Sequence, residues 1–127
     1  GDSRAYLLRD GMLNRLTSDH SWVNEQVKLG LLSDEAAQRH PMRNIVTRAL
    51  GSRTEATAEL REEGMQPGDV FLVCSDGLNT MVPDSEIEAI LRRSGKSPEH
   101  ACRELVSRAN ERGGEDNTTV VVVRVVP

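Results

Sequence analysis

Three aspartates stand where an apolar run begins or ends. Asp76 closes the run Val70-Phe71-Leu72-Val73-Cys74-Ser75-Asp76-Gly77-Leu78. Asp116 lies in Gly113-Gly114-Glu115-Asp116-Asn117-Thr118, just ahead of the valine-rich residues 120–126. Asp2 lies in Gly1-Asp2-Ser3-Arg4, just ahead of Ala5-Tyr6-Leu7-Leu8. A carboxylate at the tip of a strand is held by a rigid element, and Gly77 behind Asp76 lets the backbone turn sharply. If the strands carrying Asp76 and Asp116 are antiparallel neighbours, the end of one lies beside the start of the other. Their carboxylates then meet at one edge of the sheet. Carboxylates that converge without a basic residue repel one another unless a cation neutralises them. An all-oxygen donor set suits Mg²⁺ or Mn²⁺, admits Ca²⁺ and disfavours zinc. The competing reading is turn chemistry, because aspartate beside glycine is common in turns, and spacing alone leaves both open.

Other chemistries find less support. An aspartyl-nucleophile phosphatase needs a second aspartate two residues before Asp76, where this chain has Cys74. Gly113-Gly114 follow a helical pattern and lead into a strand, so they read as a helix C-cap rather than a phosphate cradle. Cys74 lies inside an apolar run with no partner histidine in view, which argues against a nucleophile. His20, His40 and His100 have no metal-ligand spacing, and Met12, Met42, Met65 and Met81 form no stripe. Trp22 reads as a packing anchor.

The 127 residues suit one domain with one core, and with aromatics at only 2% that core must be aliphatic. A net charge of −4 argues against nucleic acid or an anionic membrane as partner. No run is long enough for a membrane span and no signal-peptide pattern opens the chain. Two unclustered cysteines favour a reducing, cytoplasmic setting. The chain opens without Met and leads at once into a strand, which suggests a piece of a longer protein.

The elements that must position the aspartates follow from local signals. Residues 4–9 and 12–17 read as a hairpin around Asp10-Gly11, a type I′ pair. Ser21 caps a helix with Val23 and Val27 on one face, stopping near Gly30, and Ser33 opens a second short helix that ends before Pro41. Residues 43–50 are strand-like, and residues 56–63 alternate weakly enough to form an outer strand. Residues 70–74 read as a strand buried on both faces, and residues 120–126 as another buried strand. Between them, Pro83-Asp84-Ser85 opens a helix with a Ser85–Glu88 capping box and an apolar face of Ile87, Ile90 and Leu91. Ser97-Pro98 opens a second helix, ended by Gly113-Gly114. Hairpin, helical excursion, strands, two consecutive helices and a strand make an α+β arrangement, with helices grouped on one face of the sheet.

Taken together, five segments carry a resemblance to a family. They are Gly1-Asp2-Ser3-Arg4 with its hairpin; Leu16-Thr17-Ser18-Asp19-His20-Ser21; the stretch from His40-Pro41-Met42-Arg43-Asn44 through Ile45-Val46-Thr47-Arg48-Ala49-Leu50-Gly51; Gly68 to Leu78; and Gly113 to Thr119. In this order they resemble the C-terminal half of the metal-dependent, type 2C (PPM) serine/threonine protein phosphatases, bacterial branch. The resemblance implies the C-terminal part of an α-β-β-α sandwich of mostly antiparallel sheet, with residues 21–48 as the family's flap beside the cleft. It implies hydrolysis of phosphoserine or phosphothreonine on proteins, without a phosphoenzyme, by a water activated at a binuclear Mn²⁺/Mg²⁺ centre. Asp76 and Asp116 would ligate one core metal, and Asp2 with Asp76 a more weakly held third ion. The implied partners are a phosphorylated protein substrate and an opposing serine/threonine kinase, with neither nucleic acid nor membrane.

No catalytic residue is assigned within the chain. The family's Asp-Gly-Met-Gly-Gly segment, its phosphate-clamping arginine and its proposed acid histidine are not among these residues. Arg43 and Arg48 lie in a matched segment but are not that clamp, and read as structural. The expectation is an inactive piece of an active parent enzyme, with only weak metal binding left. The alternatives are a non-catalytic regulatory domain of the same fold, and self-association of the piece through exposed valines.

Overall fold

The computed structural model describes residues 1–51 and 57–127. They form two compact units, one of residues 3–17 and 64–127 and the other of residues 1–2 and 18–63.

The first unit is built on a four-stranded antiparallel sheet. Its strands are β1 (Arg4–Arg9), β2 (Met12–Arg15), β3 (Val70–Cys74) and β4 (Val120–Arg124), in the spatial order β2-β1-β3-β4. The hairpin β1–β2 turns on Asp10 and Gly11, both with positive φ (52° and 76°), as the Asp-Gly dipeptide requires. β1 pairs with β3 (Tyr6 opposite Leu72) and β3 with β4 (Leu72 opposite Val122, Cys74 opposite Val120). Helices α4 (Asp84–Ser94) and α5 (Pro98–Glu111) follow β3 in the chain. One core joins Tyr6, Leu8, Leu72 and Cys74 of the sheet to Leu78, Val82, Ile87, Ile90, Leu91, Ala101, Leu105 and Ala109 of the helical layer. Burying each large aliphatic side chain there contributes about 1.5–3 kcal/mol.

Four expectations change in this unit. The valine-rich strands are buried on one face only: Val73, Val121 and Val123 on the other remain 49%, 52% and 49% exposed. Alternate residues of a strand point to opposite faces, and the helices cover only the face of Leu72 and Cys74. Where a sharp turn is expected at Asp76-Gly77, Asp76–Asn79 form a single-turn helix, α3. The Ser85–Glu88 capping box does not form, since α4 begins at Asp84 with no side-chain cap. Glu88 Oε2 instead accepts from the Leu13 N–H at 3.0 Å, so a contact with β2 takes the carboxylate that the box needs. Strand β2 ends at Arg15, although the Leu16 N–H still donates to the Ala5 carbonyl at 2.8 Å.

The fold carries its own ionic clamps. Asp69, only 2% exposed, receives the Arg9 guanidinium in a bidentate pair at 2.9 and 2.7 Å and the Gln66 N–H at 2.8 Å. These bonds, Arg9 first, hold its carboxyl below the usual carboxylate range. Glu104 of α5 accepts from the Ser94 hydroxyl at 2.6 Å and from Arg93, which lowers its carboxyl in the same way and ties α5 to α4. Tyr6 is fully buried, and its hydroxyl donates to Asp84 at 2.8 Å, while burial pushes its proton affinity up.

The second unit holds helices α1 (Trp22–Lys28) and α2 (Asp34–Arg39), capped by the Ser21 and Ser33 hydroxyls as their sequences predict. Trp22 lies against the His40 ring, centroids 5.0 Å apart, which fits its reading as an anchor. Residues 43–50 form no strand; a single bridge joins Ser21 to Val46. Ser21 is already the helix cap, so its chain cannot run on as a partner. The strand expected at 56–63 is also missing over residues 57–63, where Leu60 is 94% exposed, while residue 56 lies outside the described residues.

Candidate functional site

The strand pairing decides where the acidic segments go. Because β3 and β4 run antiparallel with Cys74 opposite Val120, residues 75–77 leave the sheet at the same end at which residues 117–119 enter it. The Ser75 N–H donates to the Thr119 carbonyl at 3.0 Å, and the Thr119 N–H donates to Ser75 Oγ at 3.0 Å. The Ser75 hydroxyl donates to the Asn117 carbonyl at 3.4 Å, and the Thr118 hydroxyl to the Gly77 carbonyl at 3.3 Å. The segments carrying Asp76 and Asp116 are thus brought together, as expected from an antiparallel pair.

Each segment is anchored from behind. Asp76 is the first residue of α3, whose backbone the Leu78 N–H secures on the Ser75 carbonyl at 3.1 Å. Asp116 follows the end of α5, where Gly113 donates to the Asn110 carbonyl and Gly114 to the Ala109 carbonyl. With φ of 128° and 53° these two glycines form a Schellman stop, so their C-cap reading stands. Asp116 is exposed, and one of its oxygens accepts from the Asn117 N–H at 2.7 Å.

Gly77 is needed for another reason than the one its Asp-Gly setting suggests. Its φ is not in the left-handed region, but a Cβ there would sit 2.1 Å from the Asn117 carbonyl oxygen. The glycine permits two backbones to touch, not a turn.

Asp2 belongs to the other unit. There the neighbouring Gly1 donates to the Arg48 carbonyl at 2.7 Å, and Arg48 pairs with Glu59 at 3.4 Å, which accords with a structural reading of Arg48. Glu59 also lies 3.1 Å from His20, and its carboxyl is lowered chiefly by that contact.

As donors, Asp76 and Asp116 fit a hard divalent cation in type but not in number. Two carboxylates fall short of six-coordinate oxygen ligation, and no group of three or more acidic, histidine or cysteine side chains suited to a metal occurs among the described residues. Sequence reasoning did not single out the hydroxyls of Ser75 and Thr118. Their signal was a hydroxyl residue within two positions of each aspartate.

Residues 11–126 match the family model described as Stage II sporulation protein E (SpoIIE). The chain belongs to this family. Its relatives are bacterial serine/threonine phosphatases of the type 2C (PPM) class, the class that the five segments resemble. The serine/threonine phosphatase stp of Listeria monocytogenes is 44% identical over 123 residues, 97% of this chain and 48% of the relative. The structure of the S. agalactiae serine/threonine phosphatase matches with a TM-score of 0.92 and 41% identity, over 98% of this chain and 51% of that one. The catalytic domain of the phosphatase PstP, solved in complex with two manganese ions, matches with a TM-score of 0.81 and 40% identity, over 100% of this chain and 51% of that domain. The α+β fold with its four-stranded antiparallel sheet thus matches part of the PPM phosphatase structures, and the chain spans about half the length of the relatives it matches. No helix among the described residues is long and apolar enough to cross a membrane.

Proposed function

We propose that this chain is one part of a metal-dependent protein serine/threonine phosphatase domain, supplying Asp76 and Asp116 to a binuclear Mn²⁺ or Mg²⁺ centre. The observation that carries the reading is the junction of residues 75–77 with residues 117–119, which holds two acidic segments side by side at one end of the β3–β4 pair. Asp2 is assigned by resemblance alone to a third, weaker ion. When bound, the metals supply a water acidic enough to attack phosphorus and positive charge for the phosphoryl oxygens. The chain's own contribution is to hold oxygen donors on rigid elements, Asp76 by the first turn of α3 and Asp116 by the stop of α5.

The half-exposed valines Val73, Val121 and Val123 support a second layer packing on that face, as in an α-β-β-α sandwich. Residues 21–48 are assigned as the flap, and the substrate class as a phosphoserine or phosphothreonine protein set against a kinase. The two unclustered cysteines, Cys74 and Cys102, suit a reducing compartment.

With two acidic ligands in place, the 127 residues do not by themselves assemble the metal pair. Assay with Mn²⁺ and a phosphothreonine peptide separates the cases. The chain alone should match buffer, and the chain within a protein carrying the remaining half of the family's length should turn over. In that protein Asp76→Asn should cost about 100-fold or more, since the transition-state charge loses its support. Turnover by the chain alone, or full activity of the Asp76→Asn protein, would overturn the reading.

A further inference from the structure

The antiparallel ladder of β3 and β4 ends at Cys74 and Val120, yet the two chains stay together for three further residues on each side. Side-chain hydroxyls do part of this work. Ser75 Oγ accepts the Thr119 N–H at 3.0 Å and donates to the Asn117 carbonyl at 3.4 Å, so one hydroxyl serves both ends of the segment after Asp116. Thr118 Oγ1 returns the link, donating to the Gly77 carbonyl at 3.3 Å. Ser75 and Gly77 flank Asp76, while Asn117 to Thr119 follow Asp116. The missing Cβ of Gly77 lets the two backbones close to contact.

We propose that Ser75 and Thr118 form a hydroxyl latch that fixes the spacing of Asp76 and Asp116 and thereby sets how tightly a divalent cation is held. The proposal rests on the reading of the two aspartates as metal donors. Ser75 and Thr118 are positioning residues: they bond backbone, and act on the ion only through the carboxylates they place. A hydroxyl suits this task because it is neutral. An arginine or lysine in its place would bind the segments together but would also satisfy the carboxylate charge that the cation needs. Groups that orient metal ligands from behind typically change affinity by about 10–100-fold when removed.

The test uses the 127-residue chain, Mn²⁺ alone and backbone amide NMR, so that no turnover is needed. In the unmodified chain, Mn²⁺ should broaden the amides of residues 76–78 and 116–118 with one common midpoint, because a single ion is seated by both segments. Ser75→Ala should raise that midpoint about tenfold and separate the two sets, with the remaining amide spectrum kept. Ser75→Thr keeps the hydroxyl and should restore the common midpoint, and Thr118→Val should shift it in the same direction as Ser75→Ala. Should Ser75→Ala fail to fold, Thr118→Val and Ser75→Thr carry the comparison.

The outcomes divide cleanly. An unchanged midpoint in folded Ser75→Ala and Thr118→Val chains overturns the latch while leaving the metal reading standing. No broadening of either set in the unmodified chain overturns the latch, whereas the metal reading stands or falls on the Asp76→Asn assay in the longer protein. Loss of the common midpoint in Ser75→Thr as well as Ser75→Ala would mean that side-chain volume, not the hydroxyl, governs the spacing, and would also overturn it.

Discussion

Strand β3 carries an aspartate just before it and another just after it, and the two live in opposite circumstances. Asp69 is buried, met by a bidentate guanidinium and a backbone amide, and its charge is answered within the fold. Asp76 opens a single-turn helix beside the Asp116 segment, where the neighbouring groups that organise the backbone are neutral hydroxyls and a glycine. One end of the strand spends its carboxylate on stability. At the other end, hydroxyl and backbone hydrogen bonds hold the Asp76 and Asp116 segments side by side. The contrast separates a structural acid from a candidate ligand by what stands around it rather than by its residue type.

The sharpest way to break the contrast is to cross the two positions. Asp69→Asn should lower Tm while leaving Mn²⁺ binding in place, because the Arg9 guanidinium then loses its counter-charge. Asp76→Asn should weaken Mn²⁺ binding by tenfold or more with Tm held, as the loss of a ligand or of the groups that orient one does. Calorimetry and Mn²⁺ titration on both variants check this, and matching behaviour of the two would dissolve the distinction. A smaller effect is expected at the touching backbones. Gly77→Ala places a methyl 2.1 Å from a carbonyl oxygen, and should cost about 1–3 kcal/mol, read from denaturant unfolding. A result near zero would mean that the segments 75–77 and 117–119 part easily.

The smallest effect concerns acid. Asp69 and Glu104 both have carboxyls lowered in the folded chain, the first mainly by Arg9 and the second mainly by Ser94. Their stabilisation is therefore fully present above the ordinary unfolded carboxylate range, about pH 4, and is lost as pH falls through the folded values. Stability should climb from strongly acid solution to about pH 5 and then level. Arg9→Gln should flatten the part of that climb due to Asp69, which unfolding curves across the acid range would reveal. An unchanged slope would remove Asp69 from the account.

Much of this was legible because it is local. Asp10-Gly11 dictates a primed turn, Ser21 and Ser33 cap their helices, and Gly113-Gly114 stop α5, each within a few residues of the signal. The meeting of the Asp76 and Asp116 segments was legible too, because it needs only that two apolar strands run antiparallel. What failed depended on distant neighbours. Hydrophobicity alone cannot tell which face of Val70–Cys74 finds a cover, and only the Leu72 side does. The Ser85–Glu88 box lost its carboxylate to the Leu13 amide, a competitor from 75 residues away. Residues 43–50 had strand-like composition but, among the described residues, found only Ser21 opposite Val46, and one bridge does not make a strand. Within the site, the aspartates announced themselves by position, whereas Ser75 and Thr118 look like ordinary turn residues until their bonds are drawn.

The register that sets Cys74 against Val120 leaves a mark on which genetic changes this region can absorb. Side chains alternate along β4, so one codon gained or lost between Asp116 and Val120 would turn every valine over, exchanging Val122 for a neighbour from the open face. If β4 kept its register instead, the change would carry Asp116 away from the end of β3. The number of residues in this segment is fixed by the sheet, whatever their identity.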